Sequence, residues 1–365
     1  MLGVALSALH LAVGLPLAFL HMPFGLWFGE VFIFIGVPWV MLRWTGRDPV
    51  RYPHAALSGV MPALVGLLAG AVNFFALALP LQAAAYAVMP DWVKKLLEGN
   101  TLFEDRSTVE IILIVSAVGV AAPVCEEYFF RGVLQNGLSR AMPPWGALVV
   151  TSLVFSILHG DPVGFLARVE LGMLFGYLFI RTGSLWPGVL AHAANNLVST
   201  GLYFGFKDSS QNPDEGPELR VLLGMVAVGT PLLIAVLRLA RNVRPAEEAV
   251  PRSSVRPALG RIATPWILAA LASIALLWAV DRRGVALNVY DAGTTVPPAS
   301  ESQTAEEARL RAELRQLRSD ARSGRVPMEQ YRKRREEIAR TLRHAAGPVV
   351  PLPLPPTSPT PPTTP

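Results

Sequence analysis

The sequence predicts an all-α protein, a polytopic transmembrane helix bundle of about eight or nine spans with a charged C-terminal helical segment and a disordered Pro-rich tail. Three observations predict it. Of 365 residues, 52% are hydrophobic and only 16% charged, which is too apolar for an ordinary soluble domain. Apolar stretches recur at roughly the 20 residues that a helix needs to cross about 30 Å of hydrocarbon. Basic residues gather in short loops between those stretches, as in multi-pass membrane proteins.

In order, the apolar stretches cover about 2–21, 27–43, 57–88, 108–130, 145–160, 165–180, 184–206, 218–240 and 262–280. The first lacks the basic start and small-residue cleavage site of a signal peptide, so it is expected to remain as a helix. Arg43, Arg47 and Arg51 follow the second stretch, and Arg241, Arg244, Arg252, Arg256 and Arg261 lie around the eighth-to-ninth connection. Nine alternating spans put both loops inside, with the N-terminus cytoplasmic and the C-terminus outside. The loops at 90–107 and 207–219, which carry several acidic residues, then fall outside. The net charge of +5 is not arranged as a groove-binding patch, so no nucleic acid partner is expected. The Ala-, Arg- and Pro-rich style points to a bacterial cell membrane.

Residues 1–104 read as scaffold helices, 105–206 as a dense core with short turns, and 207–280 as C-terminal membrane helices. Glu30 and Asn73 interrupt the scaffold and read as hydrogen-bonded structural groups. Between 281 and 347 the chain is charged. Leu310, Leu314 and Leu317, then Val326, Tyr331, Ile338 and Leu342, form a stripe broken at Ser323-Gly324, as in two amphipathic helices. Residues 348–365 are Pro/Thr-rich and predicted to be extended. The lone Cys125 excludes a disulfide framework and reads as a small apolar packing residue.

Chemistry concentrates between 108 and 206. An ionisable side chain near mid-bilayer costs roughly 2.5–3.5 kcal/mol, yet Glu126, Glu127 and Arg131 stand within six positions of an apolar run. Glu127 and Arg131 are spaced i,i+4 and can pair, whereas Glu126 is turned about 100° away. Phe155 and His159 share one helix face, and His192 and Asn196 share another, with Asn195 beside it. One carboxylate, two imidazoles and a carboxamide converging on a cavity suffice for peptide hydrolysis. A desolvated carboxylate takes a proton from water and later returns it, a histidine holds that water, and a second histidine and an amide donate to the oxyanion. Interhelical hydrogen bonds, worth about 0.6 kcal/mol each, account for any one of these residues but poorly for the whole set.

Glu-Glu-x-x-x-Arg, Phe-x-x-x-His and His-x-x-x-Asn, in this order on successive apolar stretches, resemble the CPBP family of intramembrane proteases. That family includes the type II CAAX prenyl endopeptidases and the Abi-type and lysostaphin-resistance-like proteins. The resemblance covers about 105–205. It implies that Glu126 is the catalytic carboxylate, that His159 helps activate the water, and that His192 and Asn196 form the oxyanion site. Glu127 and Arg131 would support them, and Phe155 would pack. A metal-independent mechanism without cofactor is favoured. Zinc held by Glu126, His159 and His192 stays open, although His-Glu-x-x-His is missing and Asn196 is a poor zinc ligand. The expected partners are the lipid bilayer and a membrane-embedded or membrane-anchored peptide or protein substrate.

No Gly-x-Ser-Gly is present for a serine enzyme, and Gly160-Asp161 lacks the surroundings of an aspartyl type. No internal repeat points to a transporter. A non-catalytic scaffold or bacteriocin-immunity-type protein is the remaining alternative. One placement fits poorly in this topology, because Glu126 falls toward the cytoplasmic half and His159 at the far end of its span.

Overall fold

The computed structural model describes residues 9–56, 59–90, 93–94, 102–103, 106–206, 218–240, 257–294, 296 and 304–345. Among them, every regular element is helical. Arg241, Arg244, Arg252 and Arg256, most of both acidic loops, and the tail at 348–365 lie outside the described residues. Two compact units divide the chain, Met1–Val280 and Asp281–Pro365.

The first unit starts with α1, made of His10–Gly14 running into Leu15–Leu20. Then follow α2 (Met22–Trp44), α3 (Val60–Val88) and α4 (Thr108–Leu138), and α5 (Pro144–Leu158), α6 (Phe165–Thr182) and α7 (Trp186–Phe206). Last come α8 (Leu219–Ala240) and the part of α9 (Leu259–Ala292) up to Val280. Five helices, α2, α3, α4, α8 and α9, are long and apolar enough to cross a membrane, and α5 is a shorter apolar helix. This is fewer than nine for a physical reason. Arg168, Glu170 and Arg181 lower the hydropathy of α6, and His192, Asn195 and Asn196 lower that of α7. The polar residues that make these helices interesting also make them poor spans by composition.

Helices pack closely where side chains are absent. A Cβ on Gly66 would lie 2.2 Å from the Pro187 carbonyl oxygen, and one on Gly70 would lie 2.0 Å from that of Ala191. The matching four-residue steps mean that α3 and α7 run side by side in the same direction. Small residues at a helix contact are the usual device where lipid removes the hydrophobic drive between helices. On the other flank, Phe34 of α2 sits with its ring 5.9 Å from those of Phe129 and Phe130 of α4. Trp266 of α9 fills the notch left by Gly36 and meets Phe32 edge-on.

α4 is held at both ends. At its start, Ser107 and Glu110 form a reciprocal capping box. Beyond its end, the segment between α2 and α3 folds under the bundle: Tyr128 Oη donates to the Pro49 carbonyl (2.9 Å) and Asn136 Nδ2 to that of Tyr52 (2.8 Å). Ser184 and Trp186 donate to the carbonyls of Ala56 and Ala55. One strap therefore fixes the lower ends of α4 and α6 and the start of α7.

In the second unit, the chain from Asp281 continues as helix to Ala292, and α10 (Ala305–Ser323) and α11 (Met328–Ala345) form a hairpin. Gly324 closes α10 at φ 81°, a left-handed conformation suited to glycine. Leu317, Ala321, Val326 and Tyr331 pack with Leu287 and Tyr290, so the apolar stripe has its partner within the unit. Asp291 accepts from Tyr331 Oη (2.7 Å) and pairs with Arg318 (3.0 Å) and Arg335 (2.8 Å).

Candidate active site

The site grows from an irregularity in α4. Residues Ala117–Ala121 and Tyr128–Gln135 are wound as π-helix, with an ordinary α-helical turn, Ala122–Glu127, between them. Such wide turns free backbone carbonyls and rotate side chains, and they recur at functional sites. Glu126 and Glu127 both end up buried and face different partners.

Glu127 is the hub. Its Oε1 accepts from Arg131 Nη1 at 3.0 Å and lies 3.2 Å from His192 Nδ1. Arg131 is 1% exposed and Glu127 is 0% exposed, so each charge depends on the other. The guanidinium also donates to the Gly172 carbonyl (3.1 Å) and lies over the rings of Phe155 (4.9 Å) and Phe175 (5.3 Å). One turn on, Gln135 Nε2 donates to the Gly176 carbonyl at 3.2 Å. Glu127, Arg131 and Gln135 thus make a polar ladder from α4 to α6.

His192 of α7 is gripped on two sides. Its ring stacks on Phe175, with centroids 4.8 Å apart at 16°, and meets the edge of Phe155 at 5.9 Å. With Nδ1 turned to Glu127, Nε2 faces Glu126, whose Oε2 is 4.0 Å away. That Glu126 oxygen is buried and has no hydrogen-bond partner.

His159 caps the end of α5. Its Nδ1 lies 2.8 Å from the Phe155 carbonyl oxygen, and its ring packs on that of Phe155 at 4.8 Å. Phe155 is therefore the shared wall between the two histidines. α5 has only 15 residues, about 22 Å at 1.5 Å per residue, and His159 at its far end is exposed although its ring packs on Phe155. Gly160 at φ 65° then turns the chain, and Asp161 pairs with Arg168 at 2.7 Å to close the turn into α6.

Asn196 lies one turn past His192 on the same helix. Its Nδ2 donates to the Val118 carbonyl (2.9 Å), a π-helical carbonyl of α4, and its Oδ1 accepts from Asn195 Nδ2 (3.2 Å). The structure thus brings Glu126, Glu127, Arg131, Phe155 and His192 into contact. His159 joins through Phe155, and Asn196 through α4. Cys125 is buried in the apolar core as a free thiol.

Asn73 is hydrogen-bonded as expected, whereas other features of the site escaped the sequence reading. Glu30, read there as a structural group, is buried on α2 with Oε2 unpartnered, in the segment Gly29–Gly36 that packs on the Ala122–Glu127 turn of α4. Its only signal was a carboxylate in an apolar run. Asn73 donates to Glu170 Oε2 at 2.8 Å, a contact 97 positions apart that no spacing rule reveals. Gln135 did carry a signal, the third i,i+4 step from Glu127.

Among the described residues, no three His, Cys, Asp or Glu side chains cluster as a metal would require. Both histidines engage a neighbour through Nδ1, which leaves each Nε2 free of these contacts.

Over the same stretch the chain is similar to known proteins. A family profile described as "Type II CAAX prenyl endopeptidase Rce1-like" matches residues 108–198, which span α4 to most of α7. An Escherichia coli protein described as "Uncharacterized 24.3 kDa protein" is 32% identical over 172 residues, 46% of this chain and 73% of that protein. The Bacillus subtilis protein "Putative membrane peptidase YdiL" is 30% identical over 88 residues, 24% of this chain and 35% of its own length. A second protein from that organism, "Uncharacterized protein YyaK", is 24% identical over 187 residues, covering 47% and 59%. No solved structure matches the chain.

Proposed function

The chain belongs to the Rce1-like family of type II CAAX prenyl endopeptidases, and from that premise we propose that it is an intramembrane endopeptidase in which Glu126 activates the attacking water. The observation that carries this reading is the unpartnered Glu126 Oε2 facing His192 Nε2 across 4.0 Å. A buried carboxylate oxygen without a partner is costly, and a site that keeps one has a use for it.

In this mechanism Glu126 takes a proton from water as the water attacks the scissile carbonyl, then returns it to the departing amine. His159 presents Nε2 to the water, because Nδ1 is held on the Phe155 carbonyl. When protonated, His192 Nε2 donates to the oxyanion. Asn196 uses one amide hydrogen on Val118 and has a second for the oxyanion. Glu127 and Arg131 hold the imidazole in place, and Phe155 and Phe175 fix its plane. Each oxyanion donor is worth roughly 3–4 kcal/mol.

The substrate proposed is a membrane-anchored or membrane-embedded peptide or protein. The deciding experiment incubates purified full-length protein in nanodiscs with a peptide library, comparing wild type, Glu126→Gln and wild type with chelator. Cleavage by wild type and by the chelated enzyme, but not by the variant, is the expected result. Cleavage surviving Glu126→Gln sinks the mechanism, and loss with chelator restored by zinc replaces it with a metal-dependent one. Partner binding without cleavage of any peptide, unaffected by Glu126→Gln, would establish a scaffold instead.

A further inference from the structure

We propose that Glu30 makes this site selective for substrates with a basic side chain, lysine or arginine, beside the scissile bond. The proposal rests on the peptidase reading above.

Glu30 and Glu126 are each 8% exposed, and each has an Oε2 with no hydrogen-bond partner. They belong to neighbouring elements, since the π-helical segment Gly29–Gly36 of α2 packs directly on Ala122–Glu127 of α4. Two like charges in a low-dielectric interior need a positive or protonic partner.

The surrounding charges show which acids are already met. Arg131 pairs with Glu127 Oε1 at 3.0 Å, leaving Glu127 Oε2 buried without a partner, and Arg168 pairs with Asp161 at 2.7 Å. Asn73 donates to Glu170. Among the described residues no arginine, lysine or histidine pairs with Glu30. His192 faces Glu126 from the opposite helix, and its Nδ1 is turned to Glu127. α2 therefore brings a buried carboxylate oxygen without a partner to the flank of the turn that carries Glu126. A cationic side chain on the substrate is the group that completes it.

Position separates this role from the chemistry. Glu30 lies on α2, outside residues 108–198, where the family profile matches. A buried polar group that only one substrate satisfies discriminates strongly against an analogue lacking the partner.

The test uses full-length protein and a peptide that wild type cleaves, with lysine or its uncharged analogue norleucine placed in turn at each residue flanking the cleaved bond. Wild type is expected to favour lysine at one position by about tenfold or more in kcat/KM. Glu30→Gln should bring that ratio to about one, and Glu30→Asp should keep lysine preferred. Binding of both peptides to Glu126→Gln supplies a readout that needs no turnover. It also distinguishes the two readings: if wild type cleaves nothing, the peptidase reading fails, while preferential lysine binding still supports the acidic subsite. A wild-type ratio of about one, equal binding of the two peptides, or an unchanged ratio in Glu30→Gln overturns the proposal. A ratio of one is also the outcome if the two carboxylates merely share a proton.

Discussion

His192 Nε2 stands 4.0 Å from Glu126 Oε2, too far for a hydrogen bond and about the span that one bridging water covers. The pair comes from residues more than sixty positions apart, and the mechanism proposed above puts its water in that gap. Replacing Glu126 with glutamine keeps the shape and removes the base. Turnover is expected to fall by about 10²–10⁴, with the melting temperature of the detergent-solubilised protein unchanged. Equal activity of variant and wild type would remove Glu126 from the mechanism.

Arg131 and Glu127 are a different case, because neither is exposed. Removing one partner of a buried pair strands the other charge, at about 3–5 kcal/mol. Arg131→Met should therefore unfold at much lower denaturant than wild type. The double change Glu127→Gln with Arg131→Met should recover much of the loss, since no buried charge remains. If the double variant is no more stable than the single, the loss comes from the missing Arg131 bond to the Gly172 carbonyl of α6 rather than from a stranded charge.

What was legible in the sequence follows the distance between partners. Glu127 and Arg131 share one helix, so an i,i+4 rule found them, and His192 and Asn196 were placed on one face in the same way. Glu30 opposite Glu126, and Asn73 bonded to Glu170, are joined only by packing of separate helices, which no periodicity encodes. The π-helical turns of α4 were equally hidden, because hydrophobic spacing barely distinguishes them from α-helix. The bundle was visible through hydropathy. That signal was weakest for α6 and α7, whose polar residues lower their hydropathy.

Asn196 and Asn195 separate a donor from its support. Asn196→Ala removes a proposed oxyanion donor and should lower kcat by about 10²–10³ with little change in KM. Asn195 acts through its bond to Asn196 Oδ1, so Asn195→Ala should cost less, and Asn195→Ala added to Asn196→Ala should cost nothing further. Additive losses in steady-state kinetics would show that Asn195 has a separate role.

Asp48 sits in the strap between α2 and α3, outside the membrane helices. The backbone N–H groups of Arg51 and Val50, which donate to its Oδ1 at 2.9 and 2.8 Å, hold its carboxyl below the usual range. The sign follows from linkage. With the folded value depressed, the turn has its full stabilisation above about pH 3.9 and loses it as pH falls through the lower folded value. Hydrogen exchange at Val50 and Arg51, corrected for intrinsic rates, should accelerate below that point and be flat from pH 5 to 7. Asp48→Asn should flatten the whole profile. A pH-dependent profile in that variant would place the effect elsewhere.

The tightest constraint on the site is a hydrogen atom. Gly70 leaves room for the carbonyl of Ala191, the residue before His192, and a Cβ there would stand 2.0 Å from that oxygen and 2.6 Å from the Cα. Both are backbone atoms, so no side chain can swing aside, and Gly70→Ala must push α7 away from α3. Overpacking of this kind costs about 1–3 kcal/mol. The larger effect falls on catalysis, because α7 carries His192 and Asn196, and a misplacement of about 1 Å costs on the order of 10²-fold. Gly201→Ala, on the same helix with nothing within 4 Å of its added Cβ, is the control and should be neutral in both assays. If Gly70→Ala cleaves peptide as fast as Gly201→Ala, then the register of α3 against α7 does not position the site.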